Sequence, residues 1–178
     1  MASEALDCHY SITGSGPAIF LTHGIGAAKD AWRFIVPKLS ENFTVIAYDL
    51  RGHGKSPVTH KNFGLDELVL DLERIREKTN INKGHFVGHS LGGMIAPAYA
   101  KKYPDKVLSV GMLSTVAGRS KDDSKKVWSV INEMEEKGIE KTLQKLTTRW
   151  FTDEFIANNS ELVKKRLNQV VDTDPDVF

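Results

Sequence analysis

Gly88-His89-Ser90-Leu91-Gly92 is the stretch of this sequence best equipped for covalent chemistry. A serine hydroxyl is a weak nucleophile until a fold isolates it and nearby groups stabilise the charge it creates. The flanking residues suggest such a fold. His85-Phe86-Val87 reads as an apolar strand, and Gly93-Met94-Ile95-Ala96 as the start of a helix. Strand, sharp turn and helix form the setting in which G-x-S-x-G exposes a nucleophile at its apex. The turn is expected to strain the backbone of Ser90 and hold its hydroxyl clear of both elements. Gly88 and Gly92 fit because side chains there would collide. Free N–H groups at the start of the helix favour developing negative charge. The plainer alternative is that Ser90 only caps that helix.

Two further stretches are expected at the same edge, because ligands of an open parallel sheet bind outside the carboxyl ends of its strands. In His23-Gly24-Ile25-Gly26 the glycines would let the backbone pass close to a substrate. The N–H groups of Ile25 and Leu91 could then form an oxyanion hole. An ordinary Gly-rich turn is the alternative. The second stretch, Asp49-Leu50-Arg51-Gly52-His53-Gly54-Lys55-Ser56, ends like a phosphate-binding loop. Asp49 would put a carboxylate where phosphate should sit, and Pro57 stands where a helix should continue, so a phosphate cradle is rejected. A structural turn is expected instead, with Asp49 and Arg51 paired or bonded to backbone.

A dinucleotide site is a rival reading of the same residues. Gly24-Ile25-Gly26-Ala27-Ala28-Lys29 approaches G-x-G-x-x-G, and Asp49 follows about twenty residues later, as a ribose partner would. Lys29 replaces the third glycine, however, and this reading leaves Ser90 unexplained. A serine nucleophile also needs a base, usually a histidine oriented by a carboxylate. The histidines are His9, His23, His53, His60, His85 and His89, and none follows Ser90. His89 is expected to pack, His85 to sit within the strand, and His23 and His53 to make local hydrogen bonds. Asp122 and Asp123 lie in a Lys-rich run and are expected to be solvated.

The positioning elements follow from hydrophobic pattern. Leu6 to Ile12 reads as a short strand turning at Gly14-Ser15-Gly16-Pro17, and Ala18 to Leu21 as a strand buried on both faces. A helix is expected over Ala28 to Leu39 and a strand over Phe43 to Tyr48. Leu65, Leu68, Val69, Leu72 and Ile75 recur at helical spacing. The helix after Ser90 should reach about Tyr103, with Pro97 able to kink it. A last strand spans Val107 to Leu113, ending at Ser114-Thr115. Strands alternating with helices imply an α/β fold, a mostly parallel sheet with helices on both faces. After Gly118 the pattern becomes wholly helical. Val127, Val130, Ile131 and Met134 form one stripe, Ile139, Leu143, Leu146 and Trp150 a second, and Val163, Leu167 and Val170 a third. About three helices are expected there, giving a division into 1–118 and 119–178.

At 178 residues the chain suits one domain with such an insert. A net charge of +1 gives no electrostatic case for nucleic acid or an anionic membrane as partner. No apolar run approaches the ~18–20 residues of a membrane span. Met1-Ala2-Ser3-Glu4 lacks the basic and apolar regions of a secretory signal, so a cytoplasmic location is expected. One cysteine, Cys8, allows no internal disulfide and no Cys-based zinc site, and is expected to fill the core. No cofactor or metal is expected.

His23-Gly24-Ile25-Gly26, Asp49 to Ser56 and Gly88 to Gly93, in that order and spacing, resemble the α/β-hydrolase fold in its esterase-like branch. The chain is similar there to 3-oxoadipate enol-lactonase-like and pimeloyl-ester carboxylesterase-like hydrolases. Serine at the elbow argues against haloalkane dehalogenases and epoxide hydrolases, which place aspartate there. The resemblance implies that 1–118 corresponds to the core through the family's sixth strand and 119–178 to a helical cap over the site. It implies acyl-enzyme chemistry at Ser90 on a small-molecule carboxylic ester or lactone. In that family the triad acid and histidine follow the cap. This chain, ending at Asp174-Pro175-Asp176-Val177-Phe178, is therefore expected to be an N-terminal part with little activity alone. It is also expected to self-associate or to bind a complementing C-terminal fragment. The alternative function is a non-catalytic binding or assembly module on the same fold.

Overall fold

The computed structural model of the protein describes residues 4–58, 62–174 and 177. They fall into two compact units that divide between Val116 and Ala117, except that Val177 belongs to the first. The first is built on a sheet of β1 (Tyr10–Thr13), β2 (Ala18–Thr22), β3 (Thr44–Tyr48), β4 (Gly84–His89) and β5 (Val107–Leu113). Their order is β1-β3-β2-β4-β5. Only β1 runs antiparallel, pairing Tyr10 with Tyr48 and Thr13 with Val45, while β3, β2, β4 and β5 are parallel to one another. The α/β class and mostly parallel sheet expected from the sequence are what the structure has.

Alternation along the central strands feeds two cores. Phe20, Ile46, Tyr48 and Phe86 face one way, packing with Leu68, Val69, Leu72 and Ile75 of α2 (residues 65–78) and Ile95, Ala96 and Tyr99 of α3 (residues 91–102). Phe86 stacks between Phe20, at 4.8 Å between ring centroids, and Tyr99, at 4.3 Å. Burying each such ring contributes roughly 1.5–3 kcal/mol. Ile19, Leu21, Val45 and Ala47 face the other way, against Trp32, Val36 and Leu39.

The single helix expected over Ala28 to Leu39 is not formed. The chain makes a 3-10 turn at Lys29–Trp32 and then one helical turn, α1 (Val36–Leu39). Pro37 is the reason: it has no N–H for the carbonyl of Arg33, and its ring crowds that carbonyl. The intervening residues use tighter bonds, Arg33 N–H to Asp30 O and Ile35 N–H to Trp32 O. The first strand also begins later than Leu6. The Leu6 N–H leaves the sheet ladder and donates to Asp71 Oδ1 at 2.6 Å.

That aspartate anchors a buried ion pair. Arg51 meets it with two parallel bonds, Nε to Oδ2 and Nη2 to Oδ1, both at 2.7 Å. Arg51 Nη2 also reaches the carbonyls of Glu4 and Glu67. The N-terminal segment, the loop after β3 and α2 are thus tied at one point. Arg51 is therefore paired with Asp71 and not with Asp49. Beside this pair Cys8 is buried, and burial, helped by the negative charge of Asp71, pushes its thiol up to about 12.

The second unit is helical, with α4 (Lys121–Lys137), α5 (Ile139–Trp150), α6 (Asp153–Asn158) and α7 (Ser160–Val171). Its core is Met134, Leu143 and Val170, with Val130, Ile139 and Leu167 packed on it. Four helices stand where about three were expected. The extra one, α6, carries no apolar stripe and is nucleated by a cap, Phe155 N–H donating to Thr152 Oγ1 at 3.2 Å. Trp150, the last residue of the second stripe, is 41% exposed. The guanidinium of Arg166 covers its ring at 5.3 Å. Among the described residues no helix is long and apolar enough to cross a membrane.

Candidate active site

Ser90 sits between β4 and α3 with φ 54 and ψ −112, a backbone conformation that side-chain-bearing residues rarely adopt. Its hydroxyl makes no capping bond to the helix that follows. The capping alternative is thereby removed: the strain does not serve the helix end. The glycines around it are sterically required. A Cβ on Gly88 would lie 1.9 Å from the carbonyl oxygen of Gly92, and one on Gly92 would lie 2.2 Å from the carbonyl of Thr22. The first turn of α3 therefore lies directly against the ends of β4 and β2. Leu91, half-buried, opens that turn.

Strain of this kind costs about 1–3 kcal/mol. Ser90→Gly removes it but adds roughly 0.5–1 kcal/mol of unfolded-state freedom. The variant is expected to gain about 1 kcal/mol in urea unfolding, whereas Ser90→Ala, which keeps the strain, should stay near wild type. Equal midpoints for the two variants would remove the case for strain.

The loop after β2 comes to the same place. A Cβ on Gly24 would fall 3.1 Å from Ser90 Cβ and 3.2 Å from His89 Nδ1. Ile25, half-buried, follows at the turn, and Gly26 takes φ 62. His89, expected to pack, is exposed at the last position of β4.

His23 and His53 lock this loop to the one after β3. Leu50 N–H donates to His23 Nε2 at 2.9 Å, and His23 Nδ1 donates to Gly24 O at 2.7 Å. Reciprocally, Gly26 N–H donates to His53 Nε2 at 3.0 Å, and His53 Nδ1 donates to Arg51 O at 2.9 Å. An imidazole that accepts at one nitrogen and donates at the other is neutral with the proton on Nδ1. Both rings are buried, 5.3 Å apart between centroids. A general base needs a lone pair directed at the nucleophile. The Nε2 lone pairs of these two histidines are directed at backbone N–H groups. His85 bonds Ser109 Oγ and His9 bonds Asp49 Oδ2, so these too have local partners. His60 lies outside the described residues.

Asp49 explains the second loop. Its carboxylate accepts Lys29 N–H at 2.7 Å and Lys55 N–H at 3.1 Å, and Gly54 is small because a Cβ there would sit 2.5 Å from Asp49 Cγ. The carboxylate is consumed in holding two loops, which leaves neither a phosphate cradle nor a ribose partner. The 3-10 turn at Lys29–Trp32 likewise offers no long helix for a pyrophosphate to cap. Asp123 accepts from Ser120 at the exposed start of α4, and Asp122 pairs with Lys125, so both are solvated as expected. Among the described residues no cluster of three or more His, Cys, Asp or Glu side chains could hold a metal.

Sequence reasoning passed over two contributors. The turn after β5 grips the elbow: Ser90 N–H donates to Leu113 O at 2.9 Å, and Thr115 Oγ1 donates to Ser90 O at 2.8 Å. Asp71 was also missed, although a carboxylate three residues after Leu68, on the apolar stripe of a helix, is a signal of a buried partner.

The profile of the alpha/beta hydrolase fold matches residues 17–167. The chain belongs to the α/β-hydrolase family. The chain is 31% identical over 160 residues to 3-oxoadipate enol-lactonase 1 of Acinetobacter baylyi, covering 89% of the chain but 59% of that relative. Among solved structures it resembles the enol-lactonase from Burkholderia xenovorans, with a TM-score of 0.87 at 25% identity, covering 98% of the chain and 69% of that structure. A thermophilic esterase from Thermogutta terrifontis shares the fold, with a TM-score of 0.84 at 24% identity over 96% of the chain and 64% of that structure. The chain thus spans about three fifths of the lactonase's length.

Proposed function

We propose that Ser90 is the acyl acceptor of a hydrolase acting on carboxylic esters or lactones. The observation that carries this is the strained serine whose hydroxyl is withheld from capping its own helix. In the reaction Ser90 Oγ bonds to the acyl carbon while the carbonyl electrons move onto oxygen. The N–H groups of Ile25 and Leu91 are proposed to hold that oxyanion. Collapse expels the alkoxide, which takes up the serine's proton, and water later cleaves the acyl-enzyme. The lactonase relatives support the substrate class. By the resemblance drawn from sequence, the helical unit is proposed as a cap that selects among acyl groups. No group in this chain is assigned the role of base. A fluorophosphonate probe tests the proposal. With no base assigned, labelling is expected to be slow, reaching one probe per chain at Ser90 only on prolonged exposure to excess probe and absent in Ser90→Ala. A wild-type chain that stays unlabelled would favour a non-catalytic binding module, a reading supported by the prior engagement of His23 and His53.

Association is proposed alongside. The outer edge of β5 has no neighbouring strand among the described residues, and Leu108, Met112 and Leu113 on it are 53%, 54% and 44% exposed. The strand contains no charge or proline to discourage pairing. Light scattering at micromolar concentrations is expected to show self-association, and Met112→Lys to weaken it. A monodisperse wild-type monomer would refute this.

A further inference from the structure

The peptide that joins Ser90 to Leu91 has two ends, and acyl transfer uses only one of them directly. Its N–H is the proposed Leu91 oxyanion donor, and its oxygen is the carbonyl of Ser90. That oxygen accepts the Thr115 hydroxyl at 2.8 Å. A trans peptide is planar, with C=O and N–H pointing to opposite sides, so fixing the oxygen fixes the direction of the N–H. We infer that Thr115 is a positioning residue for the oxyanion site, aiming the Leu91 N–H by holding the far side of its peptide.

Three observations converge on this. The peptide preceding Ser90 is gripped by the same turn, through Ser90 N–H to Leu113 O at 2.9 Å. Both planes flanking a residue at φ 54 are therefore held, which opposes relaxation by peptide rotation. Next, Gly93 leaves the room Thr115 needs, since a Cβ there would come within 2.6 Å of Thr115 Cβ and 3.0 Å of its Oγ1. Finally, Ser114 takes φ 46, so the turn that presents Thr115 is itself strained. Ser90 and Ser114 are thus strained residues in two segments that Leu113 and Thr115 tie together by two hydrogen bonds, and strain of this kind concentrates where geometry matters to function. A hydrogen bond on the carbonyl also polarises the peptide and strengthens its N–H as a donor.

The inference rests on the reading of Ser90 as acyl acceptor, and the test separates the two. The isotope-labelled full chain is compared with Thr115→Val, which keeps shape and loses the hydroxyl, and with Thr115→Ser, which keeps the hydroxyl. In Thr115→Val the Ser90 carbonyl-carbon and Leu91 amide resonances are expected to move, and in Thr115→Ser to return towards wild type. The rate constant for fluorophosphonate labelling of Ser90 is expected to fall roughly 10-fold to 100-fold in Thr115→Val. In Thr115→Ser it should recover to within about 3-fold, since the donor is retained. A wild-type chain that labels, with Thr115→Val labelling equally fast, would overturn the inference and leave the acyl acceptor intact. A wild-type chain that never labels would sink the acyl-acceptor reading instead. In that case an unmoved Leu91 amide in Thr115→Val would overturn the mechanical link as well, and a moved one would uphold it.

Discussion

The chain of 178 residues is expected to turn over a p-nitrophenyl ester about 10⁶-fold more slowly than a serine hydrolase with a positioned base. That factor corresponds to about 8 kcal/mol of barrier. Ser90 has a strained backbone, but the two buried histidines, His23 and His53, accept the Leu50 and Gly26 N–H groups at Nε2. Using either as a base would first break a bond that holds the proposed oxyanion loop. Oxyanion stabilisation and binding can preserve ~10³–10⁴ over water, so slow release of p-nitrophenol, lost in Ser90→Ala, is compatible. The measurement is steady-state turnover with active serine titrated by the fluorophosphonate. Turnover at ordinary enzyme rates, abolished by His23→Ala or His53→Ala as well as by Ser90→Ala, would show that one of these rings acts as the base after all.

Asp71→Ala is expected to cost about 3–5 kcal/mol of folding stability, because it strands a buried arginine. Set against a typical total of about 5–15 kcal/mol, this brings the chain close to unfolding at ambient temperature. The Asp71 and Arg51 side chains are 1% and 3% exposed, so water cannot replace the lost partner. The Leu6 N–H loses its acceptor at the same time. Replacing both charges, in Arg51→Met with Asp71→Leu, should recover much of the loss, since an apolar pair of similar size has no charge to desolvate. Urea unfolding of the two single variants and the double variant measures the coupling. A single-variant loss below about 1 kcal/mol would mean the pair is solvated in solution and does not tie the three segments together.

Much of the site was legible in sequence because glycine marks places where backbone passes backbone. Gly24, Gly88 and Gly92 each clear a contact that a Cβ would close, and their spacing around Ser90 is visible in one dimension. The buried strands were legible for a similar reason, since the buried residues Ala18 to Leu21 of β2 leave a continuous apolar run. Other features depend on partners distant in the chain. Nothing local says that His23 and His53 each serve the other's loop, nor that Arg51 chooses Asp71 over Asp49. Thr115 looked like an ordinary strand end, because its role is set by a neighbouring strand in parallel register, His89 opposite Leu113. The helix over 28–39 was misread because apolar spacing outweighed Pro37.

Cys8 gives the fold a chemical clock. It is the only thiol in the chain, it is 4% exposed, and its pKa is pushed up to about 12 by burial beside Asp71. Thiolate is the reactive species, so in the folded chain this sulfur is both shielded and protonated at neutral pH. In the unfolded chain it regains an ordinary thiol's acidity, about 8.5. Alkylation by a maleimide or by iodoacetamide thus counts opening events of the segment clamped by Arg51 and Asp71, one molecule at a time and without denaturant. A new cysteine placed on the surface would react long before Cys8 does, so a dye or a crosslinker can be attached there without first deleting the native thiol.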